Sequence, residues 1–127
     1  GAILYGLLHP ERFQTVFARA GSFAFGHELR PDRPERSAFM EAVAPPGGRY
    51  DLFALTEKIA ADENYAKLSQ RIAFNVGQDD HLLAINERFA GHLTSLGIPH
   101  SFEVIPGSHR WAWVDEHLEE MFKFWLN

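Results

Sequence analysis

Apolar positions along the chain follow two periods. From Leu82 to Leu96, the residues Leu82, Ile85, Phe89, Leu93 and Leu96 recur three and four apart, the spacing of a helix with one buried face. Gly97 follows as the residue that ends it. Ala2 to Leu8 is apolar almost all round and stops at His9-Pro10, which predicts a short helix buried on several sides. Asp51 to Lys67 predicts another helix, with Leu52, Leu55, Ile59 and Ala60 on one face. Trp111 to Trp125 predicts a last one, with Trp111, Val114, Leu118, Met121, Phe122 and Trp125 inward. The second pattern is strand-like. Thr15 to Ala20 is a short β-type run that ends at Gly21-Ser22. Ile72 to Val76 is apolar almost without interruption, as in a parallel strand covered on both faces. Ser101 to Ile105 alternates Phe102 and Val104 against Ser101 and Glu103. From Gly26 to Gly48 the chain is rich in Pro, Gly and Arg, with room for one short helix over Arg36 to Val43 before the breaker Pro45-Pro46-Gly47-Gly48.

Strand and helix therefore alternate, which predicts an α/β architecture of about three parallel strands with flanking helices and right-handed crossovers. The 127 residues have the length of one domain. Three parallel strands make a small sheet for this class, and an uncovered edge invites pairing. Another part of the protein, or a partner chain, is expected to cover it.

Hydrophobic residues make up 46% of the chain and charged ones 23%, which allows a core and argues against disorder. The net charge of −5 argues against nucleic acid as a partner, since a binder carries a basic stripe. Arg30, Arg33 and Arg36 are interleaved with Asp32 and Glu35 and read as a solvated loop. No apolar run approaches the ~18 residues of a membrane span. The chain has no cysteine, which excludes disulfides, thiolate nucleophiles and cysteine-based zinc sites.

All three predicted strands end in polar turns: Gly21-Ser22-Phe23, Gly77-Gln78-Asp79-Asp80, and Gly107-Ser108-His109. In open parallel sheets ligands bind beyond these carboxyl ends. Taken singly, Asp79 or Asp80 serves as a helix cap and His109 as a loop residue. Taken together, an acid and then a histidine on adjacent strand ends match the order of the last two members of a Ser–Asp–His triad. No G-x-S-x-G turn is present. Ser22 is the only serine at a promising strand end, and Phe23-Ala24-Phe25-Gly26 does not continue as the helix that such a turn requires.

The segments His9-Pro10-Glu11-Arg12-Phe13, Ala20-Gly21, Gly77-Gln78-Asp79-Asp80 with Asn86, and Pro106-Gly107-Ser108-His109-Arg110-Trp111 occur in an order that resembles the C-terminal part of an esterase family of α/β-hydrolases. That family includes tributyrin-type esterases, S-formylglutathione hydrolases, feruloyl esterases and mycolyltransferases. The resemblance covers nearly the whole chain, and its two last motifs are the specific ones. It implies an α/β-hydrolase fold over residues 1–127, beginning just after the nucleophile elbow, with the upstream strands outside the sequence. It implies a serine ester hydrolase working through an acyl-serine on a small ester or thioester, without cofactor. Asp80 is then the triad acid, with Asp79 as the runner-up, and His109 the general base. The alternative is a non-catalytic half-domain that serves assembly or binding. Phe23, Phe25 and Trp111 are candidates to line a substrate pocket, against ordinary core packing. Asp79, Asp80 and His81 lack any ligand spacing that marks a metal site, so no metal is expected. His117 reads as a surface histidine.

Overall fold

The computed structural model describes all residues, 1–127. Its elements run α1 (Ala2–Leu8), β1 (Thr15–Arg19), α2 (Pro34–Val43), α3 (Leu52–Ala60), α4 (Glu63–Ala66), β2 (Arg71–Gly77), α5 (Leu83–Ser95), β3 (Ser101–Ile105), α6 (Trp111–Glu116) and α7 (Leu118–Leu126). The three strands form one parallel sheet in the order β1-β2-β3. The most continuously apolar strand is thus the middle one, where both edges and both faces are covered. Val16 stands opposite Ile72, and Ala18 opposite Phe74, which in turn stands opposite Phe102. These rows face α1, α3 and α5, and join Ile3, Leu7, Phe53, Phe89 and Leu93 in the main core.

The opposite face carries Phe17 beside Ala73, and Arg19 beside Asn75. Only α6 and α7 cover it. Phe17 packs on Phe124, with ring centres 5.8 Å apart. The Arg71 guanidinium lies over the same Phe124 ring, and its Nη2 donates to the Phe124 carbonyl at 2.9 Å. No residue of α7 is buried. No helix of the protein is long and apolar enough to cross a membrane.

Two predicted helices are each broken in two. The stretch over Asp51 to Lys67 divides at Asp62, whose side chain accepts from the Asn64 N–H at 2.9 Å and starts α4 as a fresh helix. Ala60 is consequently exposed, and Phe53 and Thr56 take its place on the inner face. The closing helix divides at His117. There the Trp113 carbonyl receives the His117 Nδ1–H at 2.8 Å, and the His117 carbonyl accepts from Arg19 Nη2 at 2.8 Å. Both carbonyls are taken from the helical ladder, and the inward face changes phase. Trp111 is 84% exposed rather than inward, and Phe122 and Trp125 are exposed too. Trp113, at 6%, is the tryptophan that is buried.

The excursion between Gly26 and Gly48 is held by two anchors. Asp51 caps α3 by accepting from the Phe53 and Ala54 N–H groups at 3.0 and 3.2 Å. Its second oxygen accepts from the Gly47 N–H at 2.8 Å and lies 3.1 Å from His27 Nδ1. The His27 ring stacks on Phe53, centroids 4.0 Å apart. Helix α2 begins at Pro34, two residues before the expected Arg36, because proline at the first turn has its φ already fixed and needs no N–H partner.

Candidate active site

Two turns build the site, one after β2 and one after β3. Gly77 ends β2 where a side chain would collide with the Gly107 carbonyl, so its glycine lets the two turns touch. Backbone bonds then fasten them: Gln78 N–H to the Ile105 carbonyl at 2.7 Å, and Asp79 N–H to the Gly107 carbonyl at 2.9 Å. Gly107 has φ +125°, a conformation that excludes a side chain, and it lies against the Trp113 ring. Trp113 Nε1 donates to the Pro106 carbonyl at 2.6 Å, which secures the second turn to α6.

Asp80 occupies the fourth position of the first turn, and its side chain is wholly inaccessible. Oδ1 accepts from the Leu82 N–H at 2.8 Å. Oδ2 lies 2.9 Å from Nδ1 of His109, at the tip of the second turn. The His109 ring is 52% exposed, so the carboxylate is shielded while the imidazole reaches solvent. Asp79, its neighbour, is exposed. A buried carboxylate on Nδ1 places the ring proton there and leaves Nε2 as the lone-pair nitrogen.

His81 completes the immediate surroundings. Its Nδ1 is 3.4 Å from Asp80 Oδ1, and its ring centre is 5.1 Å from that of His109. The titratable cluster is therefore Asp80, His81 and His109, and not the run Asp79-Asp80-His81. Adjacency to Asp80 was the only trace of His81 in the sequence. Nothing there signalled that its ring would turn toward the carboxylate.

Asn86, on α5, is fully buried and donates to the Gly21 carbonyl at 2.8 Å, which ties the end of β1 to the helix that follows the acid. Ser22 is exposed and lines a cavity of about 520 Å³ with Gly1, Leu4, Phe25 and Arg36. Phe23 lies in the core at 4% exposure, its ring 5.4 Å from Phe74 and 4.5 Å from Phe89. Trp111 borders a cavity of about 420 Å³ shared with His109, Trp113, Val114, Leu118 and Met121. This space is largely apolar and begins at the histidine.

Solved structures share the fold of this chain, among them three hydrolases. A ferulic acid esterase aligns with 93% of this chain at 22% identity and TM-score 0.66, using 43% of its own length. S-formylglutathione hydrolase FrmB from Staphylococcus aureus aligns with 100% of the chain at 22% identity and TM-score 0.76, using 50% of its length. This is the α/β-hydrolase fold. FphF, a fluorophosphonate-binding serine hydrolase of Staphylococcus aureus, aligns over 100% at 21% identity and TM-score 0.79, again with 50% of its length. The chain thus spans about half the length of the α/β-hydrolases it matches. No protein-family profile and no curated protein sequence matches it.

Proposed function

We propose that this chain supplies the acid and base of a serine ester hydrolase whose nucleophile lies outside these residues. The observation that carries the reading is the 2.9 Å contact between His109 Nδ1 and the inaccessible Asp80 carboxylate, at the carboxyl ends of parallel strands. In that role Asp80 holds the imidazole in the tautomer with Nε2 free and stabilises the imidazolium once it forms. His109 Nε2 takes the proton of a serine hydroxyl as the oxygen attacks the carbonyl carbon of an ester or thioester. The same proton passes to the leaving alcohol or thiol as the bond to it breaks. Water then repeats the sequence on the acyl-serine and releases the acid. The apolar cavity beside His109, bordered by Trp111 and Trp113, suits an apolar acyl or alcohol group.

No serine here stands in a G-x-S-x-G turn, so the 127-residue chain by itself is expected not to react with a fluorophosphonate probe. Joined to a segment that carries the elbow serine, it should label at that serine and hydrolyse p-nitrophenyl esters, and His109→Ala should remove nearly all turnover. Labelling of Ser22 in the lone chain, or an active His109→Ala enzyme, would reject this reading.

A further inference from the structure

Two imidazoles converge on one carboxylate. His109 Nδ1 faces Asp80 Oδ2 at 2.9 Å, and His81 Nδ1 faces Asp80 Oδ1 at 3.4 Å. The ligand-capable atoms of the three residues all lie within 4.8 Å of one another. Acid–base catalysis by His109 needs one orienting acceptor, which Asp80 Oδ2 already provides. It gives the second imidazole no task. We propose that Asp80, His81 and His109 form a binding site for a zinc-like divalent transition-metal ion, and that the bound ion switches His109 off as a base. The second half of the proposal rests on the functional reading above.

Two imidazole nitrogens and a carboxylate suit zinc, copper or nickel far better than calcium or magnesium, which prefer oxygen alone. Around a tetrahedral zinc with Zn–N bonds near 2.0–2.1 Å, neighbouring ligand atoms stand roughly 3.3 Å apart. The contacts at Asp80, 2.9 and 3.4 Å, run to its two different oxygens, and the ligand atoms of the three residues lie within 4.8 Å of one another, so the two exposed rings have to draw in around a shared ion. The carboxylate is fixed in place by the Leu82 N–H, as metal ligands commonly are by an outer partner. The rings of His81 and His109 are 72% and 52% exposed, so an ion can enter from solvent. Three protein ligands leave the fourth position to water.

Inhibition follows from proton bookkeeping on one ring. A neutral imidazole has one N–H. As a base, His109 keeps it on Nδ1 and offers the Nε2 lone pair. A metal can bind Nδ1 only once that nitrogen has lost its proton and itself carries the ring's lone pair. The Nδ1 proton leaves to solvent and Nε2 takes one from solvent, so the ring stays neutral and its proton count is unchanged. An Nε2 that carries hydrogen cannot accept the proton of a hydroxyl.

The test titrates the complete enzyme with Zn²⁺ by calorimetry and with Co²⁺ by visible absorption. One ion per chain and a four-coordinate cobalt spectrum are expected. His81→Phe and His109→Phe should each weaken binding by about tenfold or more, the loss known for even an outer partner of a ligand, and His9→Phe should not. Absence of stoichiometric binding, or binding that survives both substitutions, overturns the site. In the complete enzyme, zinc should inhibit ester hydrolysis, and His81→Phe should raise the inhibiting concentration by about tenfold or more. Hydrolysis that is indifferent to bound zinc overturns the switch. Zinc binding without any hydrolysis leaves the metal site standing and removes the esterase reading.

Discussion

Asp79 and Asp80 are chemically the same and adjacent in sequence, yet the fold treats them oppositely. One is exposed. The other is sealed beneath two turns, with its oxygens divided between the Leu82 N–H and His109. If Asp80 orients the base, Asp80→Asn in the complete enzyme should lower turnover about 10³–10⁴-fold, as removal of the acid does in other triads. Asp79→Asn should cost far less, and steady-state kinetics of the two variants decide between the carboxylates. A comparable loss in both would dissolve the assignment. The candidate pair was legible because the residue types sit at the ends of recognisable strands. The pocket was less so. Trp111 and Trp113 look alike in sequence, and only the bond from Trp113 Nε1 to Pro106 separates the buried ring from the exposed one.

At the scale of elements, periodicity located every strand and most helices, because burial on one face leaves its spacing in the chain. What it missed were breaks caused by hydrogen bonds from elsewhere. Nothing near His117 announces that Arg19, 98 residues away, will take its carbonyl. The Asp51 anchor is equally a tertiary feature and has a measurable consequence. Burial pushes this carboxyl up, but donors from Gly47, His27 and Ala54 outweigh it and hold the group below its ordinary range. A carboxyl whose folded pKa is depressed contributes stability above its unfolded pKa, about 3.9, and loses it as pH falls through the folded value. The gap in urea midpoint between the protein and Asp51→Ala should therefore be present at neutral pH and narrow progressively as pH falls below about 4. The lost cap alone should cost about 1 kcal/mol at neutrality. A gap that does not vary with pH would mean that the charge of Asp51 contributes nothing.

Across the whole molecule the two faces of the sheet are unequally covered, and β1 has a neighbour on one side only. Beneath α6 and α7, Arg19 Nε and Nη1 and Asn75 Oδ1 are buried without a hydrogen-bond partner, a costly state for polar groups. We expect the 127-residue chain expressed alone to self-associate or aggregate. Sedimentation and a thermal melt would show it, and a monodisperse monomer with a sharp transition would contradict it. The acid and the histidine lie close together along the chain. Both belong to the segment β2–α5–β3 and its following turn, and they stand 29 residues apart. Joining them closes a short loop, and loop closure costs only about 0.6 kcal/mol more for each doubling of length. Fraying of β1 should leave this loop closed. In hydrogen exchange the amides of Gln78 and Asp79 should outlast those of β1, so that the acid and the histidine would behave as one cassette, drawn together by contacts near in sequence.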